Sequence, residues 1–190
     1  MAESTIEGKQ IRNENYQEHV FTRTTYDCCD FVNCDFSKSN FSLLTFNECT
    51  FTECNLSMAD LKSAVFNDVK FESCKLLGLN FNSCNSFLLT LYFSNCSLNL
   101  SSFYGLKLKK TKFESCELRE VDFTAADLKQ ASFFNCDLEK AIFVDSVIEQ
   151  CDFRGAKNIQ LDPERNKLKG AQMSIDQLPG LVQKFGLKIS

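Results

Sequence analysis

No tryptophan occurs in these 190 residues, and histidine (one), proline (two) and glycine (seven) are scarce. A single imidazole, His19, leaves no Cys/His set with zinc spacing and no histidine pair for acid–base or nucleophilic work. So few glycines build no glycine-rich phosphate loop. No apolar run reaches the roughly 18 residues that a membrane helix needs. The opening Met1-Ala2-Glu3-Ser4-Thr5 is polar and acidic, unlike a signal peptide. Nor is there a basic excess: the net charge is −4, against the basic face expected of a nucleic-acid binder. The expectation is a non-enzymatic protein with no cofactor, no metal, no membrane contact and no direct nucleic-acid contact. Eleven cysteines, an odd number without a secretory signal, point to a reducing cytoplasm rather than a disulfide framework.

Phenylalanine is abundant, and its placement is periodic. Steps of five from Phe21 meet Tyr26, Phe31, Phe36, Phe41, Phe46, Phe51, Leu56, Leu61, Phe66, Phe71, Leu76 and Phe81. After a slip of two residues the series resumes at Leu88 and Phe93 and runs to Ile148 and Phe153. All 27 positions are large and apolar, and they hold 16 of the 19 phenylalanines. Two residues before each stands a small or modest side chain, such as Cys34, Cys54, Ala64, Ala126 or Cys136. A period of five suits neither a helix at 3.6 nor a strand at 2. It suits a coil that turns a corner every five residues with two inward side chains per side, stacked because one unit cannot bury its own apolar face.

Runs such as Ala126-Asp127-Leu128-Lys129-Gln130 and Cys136-Asp137-Leu138-Glu139-Lys140 resemble the A(D/N)LXX signature of the pentapeptide-repeat family. The resemblance spans residues 21–156 and implies an all-β solenoid: a right-handed quadrilateral β-helix with four units per coil. Twenty-seven units then make about seven coils, a rod about 33 Å long at about 4.8 Å per coil.

On that geometry Cys34, Cys54, Cys74, Cys96, Cys116 and Cys136 stack in one inward column, the gap from 74 to 96 absorbing the slip. Ten of the eleven cysteines occupy the small inward slot as compact hydrophobes, and Cys28 is the exposed thiol.

Residues 1–20 read as a cap segment: Ile6, Ile11 and Tyr16 keep the register, but Lys9, Glu14 and His19 fill the small slots. Residues 157–190 read as a polar connector followed by a short α-helix from Ser174 to about Phe185, stopped by Gly186. Pro179 inside that stretch allows a second reading in which the helix begins only around Leu178, with Pro179 in its first turn. Leu178, Leu181, Val182 and Phe185 share a face, followed by Leu187 and Ile189; the face is either a plug over the last coil or a homodimer seam. The tail resembles the C-terminal helix through which the Qnr quinolone-resistance proteins dimerise, which favours the seam.

At the slip, Phe87, Leu89 and Tyr92 are expected to face outward beside Leu77, Leu100 and Tyr104, as either a contact surface or local packing around a bulge. Charge is uneven. Residues 88–112 carry Lys107, Lys109, Lys110 and Lys112 and no acid. Residues 113–153 carry Glu114, Glu117, Glu120, Asp122, Asp127, Asp137, Glu139, Asp145, Glu149 and Asp152 against three cations, a net of −7. Over two coils that is about one net negative charge per 1.4 Å, near the 1.7 Å of duplex DNA. Pentapeptide-repeat proteins that protect DNA gyrase resemble DNA in this way, which implies gyrase or topoisomerase IV as the protein partner and protection from quinolones or a toxin. The alternatives are a scaffold for an unrelated partner, or simply a solvated surface.

Overall fold

The computed structural model describes residues 4–187. Its strands, in chain order, are β1 (Ser4–Glu7), β2 (Gln10–Arg12), β3 (Thr24–Asp27), β4 (Asp30–Val32), β5 (Thr45–Asn47), β6 (Thr50–Thr52), β7 (Val65–Asn67), β8 (Val69–Glu72), β9 (Leu91–Ser94) and β10 (Lys112–Glu114). All pair in parallel. One sheet runs β1-β3-β5-β7, and the other β2-β4-β6-β8-β9-β10. Parallel neighbours one turn apart make a right-handed quadrilateral solenoid.

Four faces result. Face 1 carries β1, β3, β5 and β7 and continues through Lys107, Asp127, Val147 and Lys167. Face 2 carries the longer sheet, then Ser132, Asp152 and Gln172. Face 3 is the ladder Asn15, Asp35, Asn55, Lys75, Ser97, Glu117, Asp137 and Lys157; face 4 includes Asn40, Asp60, Asn80, Ser102, Asp122 and Ile142.

The period of five produces the core directly. Phe113 stacks on Phe93 below and Phe133 above, with centroids 5.1 Å apart in each case, and meets Phe103 and Phe123 edge to face on the adjoining sides. Aromatic pairs favour both arrangements. Most corners place a residue at positive φ, and few of these are glycine: Glu48, Asp68, Leu100, Lys110 and Glu120 all adopt it. Aspartate or asparagine before the large residue accepts the amide two positions on, as at Asp122 (from Thr124, 2.8 Å) and Asp152 (from Arg154, 3.0 Å). The D/N of the motif is thus a corner brace.

The cysteine column is buried. Its thiols lie against carbonyl oxygens of the coil below, Cys74 at 3.2 Å from Phe51 and Cys136 at 3.2 Å from Phe113. All eleven cysteines are free, and Cys28 is the exposed one. Burial pushes the thiols of Cys49, Cys84 and Cys151 up to about 12, which keeps them protonated and inert.

The ladder extends past residues 21–156 at both ends. Residues 4–20 pair as a full coil, Ile6 opposite Tyr26 and Ile11 opposite Phe31. Beyond Ala156, the stretch read as a connector is another coil: Lys157, Lys167 and Gln172 pair with Asp137, Val147 and Asp152. Asn158 and Pro163 occupy the large-residue register there, so the period is hidden, while Leu168 and Met173 still pack on the core and Ile159 and Leu161 are buried.

The C-terminal helix is shorter than expected. A 3-10 turn (Ile175–Gln177), α1 (Pro179–Val182) and a second 3-10 turn (Gln183–Phe185) replace a continuous helix. Ser174 and Gln177 form a capping box, Pro179 starts α1, and Gly186 ends the segment at φ 64°. Leu181 packs on the core. Ile189 lies outside the described residues.

The slip also differs in detail. Asn85 still pairs with the coil below through the Ala64 carbonyl, and Val69 donates to Thr90, so the extra two residues sit within 86–89. Leu88, expected inward, is 59% exposed at φ 63°, and Leu89, expected outward, is half-buried against the core. An insertion of two is one strand period, so it can loop out without inverting the strands after it.

Candidate protein-interaction surface

The acidic residues are distributed over all four faces. Glu117, Glu120, Asp137 and Glu139 belong to face 3 and its corner, Asp127 and Glu149 to face 1, Asp122 and Asp145 to face 4, and Glu114 to face 2. Cations one coil away then neutralise many of them. Lys109 meets Asp127 at 3.2 Å, Lys129 meets Glu149 at 3.0 Å, and Arg165 meets Asp145 at 3.4 Å. Arg154 closes on Asp152 at 2.8 Å within one coil.

Asp137 is the most heavily engaged. It accepts from Arg119 at 2.8 Å, Asn158 at 2.7 Å and the Glu139 amide at 3.2 Å. Partial burial pushes its carboxyl up, but those donors outweigh burial and hold it below the usual carboxylate range. Its role is to brace face 3. Glu139 lies 3.8 Å from the same guanidinium, and Glu117 accepts from Ser97 at 3.0 Å and Asn99 at 3.2 Å. Glu114 and Glu120 are exposed and form no ion pair among the described residues.

The apolar belt does not form one surface. Phe87 projects from the insert at 74% exposure, Leu89 turns to the core, and Tyr92 lies round the corner on face 2 between Lys70 and Lys112. At the C-terminal end Leu178, Phe185 and Leu187 are exposed, whereas Leu181 and Val182 are half-buried. Ile175, 86% exposed, joins this apolar end and was not anticipated: it lies in the first 3-10 turn, off the expected helical face.

Among the described residues no group of three or more His, Cys, Asp and Glu could hold a metal ion. His19 packs edge-on against Phe21 at 4.6 Å in the first coil. No helix is long and apolar enough to cross a membrane.

The family model for the pentapeptide repeat region matches residues 24–91 and 86–162. No curated protein sequence matches the chain. Among solved structures, trypsin-treated QnrB1, a plasmid-mediated fluoroquinolone resistance protein, superposes with a TM-score of 0.74 at 19% identity over 98% of this chain and 97% of its own. A second trypsin-treated QnrB1 structure gives 0.65 at 18% identity over the full length of both. HetL, a pentapeptide repeat protein involved in heterocyst differentiation regulation from the cyanobacterium Nostoc sp. strain PCC 7120, gives 0.67 at 15% identity over 88% of this chain and 84% of its own. At such identities the likeness is one of fold. The matched repeats span most of the length and coincide with the stacked coils, so the chain belongs to the pentapeptide-repeat family.

Proposed function

We propose that this rod is a non-enzymatic, cytoplasmic binding protein that engages a type II DNA topoisomerase, DNA gyrase or topoisomerase IV, in place of DNA and so protects it from quinolones or a toxin. The observation that carries this reading is the net charge of −7 over residues 113–153, on a rigid rod with carboxylates exposed along it. A groove built for duplex DNA attracts such a rod through the same long-range field. The whole-length likeness to QnrB1, itself a fluoroquinolone resistance protein, supports it. The exposed Ile175, Leu178, Phe185 and Leu187 would form the seam of an end-to-end homodimer that brings two acidic segments together at its centre.

A scaffold for an unrelated partner is the second reading. HetL shares the fold with a different role, and inter-coil ion pairs such as Lys109–Asp127 and Lys129–Glu149 mute the acidic field.

Charge reversal separates the two. Asp137 is left intact because it braces Arg119, Asn158 and the Glu139 amide. Glu114→Lys, Glu117→Lys and Glu120→Lys together abolish gyrase binding if the mimicry is right. Binding that survives both this reversal and raised salt rules the mimicry out.

A further inference from the structure

Face 1 is electrically divided at its midpoint. Four rungs lie below the insert, and their outward and following corner positions carry Glu7, Asp27, Glu48 and Asp68 with no cation. Four rungs lie above it. These carry Lys107, Lys109, Lys110, Lys129, Lys167 and Lys169 against Asp127 and Glu149. Both of those acids are already held, by Lys109 and Lys129. Lys107, Lys110, Lys167 and Lys169 are exposed and form no ion pair among the described residues. At the preceding corner Arg23 alone runs against the acidic half. The fifth rung, between the halves, is the insert with Phe87 and Leu88, 74% and 59% exposed. Among the described residues, no backbone hydrogen bond joins residues 86–89 to the coil above.

We propose that face 1 is a self-complementary surface on which a second copy of this chain docks, antiparallel and side by side, with the two-fold axis at residues 86–89. A C2 contact requires each patch to match its own rotated image. Rotation about the fifth rung satisfies this. It sets Asp68 opposite the rung of Lys107 and Lys110, Glu48 opposite that of Lys129, and Glu7 opposite that of Lys167 and Lys169. Asp27 meets the rung of Val147 and Gln150, whose Glu149 is held by Lys129. Phe87 and Leu88 then pack against their symmetry mates, a central apolar contact within a charged rim. A parallel arrangement would set acid on acid and lysine on lysine.

Nine rungs span about 38 Å, and a side of about 12 Å brings the two copies together over on the order of 1,000 Å² in total. That is the low end for a specific interface, so the dimer is weak, and its charge pairs make it salt-sensitive. It is distinct from an end-to-end seam at Phe185 and rests on different residues.

The test is sedimentation of the full chain at about 50 mM and about 500 mM salt, with Debye lengths that differ several-fold. The expected result, read in Phe185→Asp so that no end-to-end seam contributes, is a concentration-dependent dimer at low salt that dissociates at high salt. Asp68→Lys, or Lys107→Glu with Lys110→Glu, each weakens self-association at least about tenfold, a change of about 1.4 kcal/mol. Mixing the two variants restores a heterodimer, because reversed acids then face reversed lysines. A monomer at every concentration in low salt overturns the proposal. So does a dimer indifferent to both reversals, or one lost in Phe185→Asp. Circular dichroism of each variant establishes that the rod is folded.

Discussion

The side-chain amide of Gln177 donates to the carbonyl oxygen of Phe153 at 2.6 Å, and its nitrogen also reaches the Ala156 carbonyl at 2.6 Å. Inside the rod a small-residue carbonyl receives an amide from the coil above, as Ala126 does from Val147, whereas a large-residue carbonyl takes one from its own coil, as Phe153 does from Ala156 at 2.9 Å. At the end no further coil exists, and a buried glutamine substitutes for it. Gln177→Leu leaves the Ala156 carbonyl buried without a donor and the Phe153 carbonyl with only the Ala156 amide, and costs about 1–3 kcal/mol. Thermal denaturation should show the loss with little change in the native far-UV spectrum. An unchanged midpoint would mean that the end is held elsewhere.

Gly180 is packed so closely that a Cβ would collide with the Ile159 carbonyl, a backbone atom with no freedom to move aside. Gly180→Ala is therefore expected to lift α1 and its flanking turns while the coils persist. Limited proteolysis should cleave within residues 175–187 first and leave a resistant rod.

Phe113 is fully buried between Phe93 and Phe133. Phe113→Ala is expected to cost about 3–5 kcal/mol through lost transfer free energy and the residual cavity. Phe134, next in sequence to a core ring but 46% exposed, should tolerate alanine within about 0.5 kcal/mol. Paired urea titrations measure both, and similar losses would contradict the register.

Lys184 donates to Asp162 at 2.6 Å and to Glu164 at 2.7 Å, tying the C-terminal segment to the last coil. The hydrogen bond from Lys184 is the main cause holding the Asp162 carboxyl below its ordinary value of 3.8, with the Glu164 amide assisting. A depressed folded value means the tie is fully present above that ordinary value and is lost as pH falls through the lower one. Pepsin cleavage near Leu181 and Phe185 should therefore rise as pH drops from about 4.5 to 2.5. In Lys184→Met that pH step should disappear.

The coil was legible because five-residue spacing of Phe and Leu has no competing secondary-structure explanation, and the buried cysteine column followed from its twenty-residue spacing. The corners were not. Non-glycine residues such as Leu100 and Lys110 take positive φ because the stacked ladder imposes it, and nothing in their chemistry announces this. The last coil was hidden by Asn158 and Pro163. The candidate surface was read as net charge along the chain, whereas Arg119–Asp137 and Lys129–Glu149 pair across coils, 18 and 20 residues apart. The slip was located to within a few residues, but which of Leu88 and Leu89 turned inward depended on where the insert looped out.

The central claim is that this rod acts on a type II topoisomerase. Its most direct test is a gyrase supercoiling assay with the purified protein titrated in, with and without a fluoroquinolone. The account predicts restored supercoiling under the drug, or inhibition without it, and loss of either effect in the Glu114→Lys, Glu117→Lys, Glu120→Lys variant. No effect of the folded protein across a wide concentration range would contradict it.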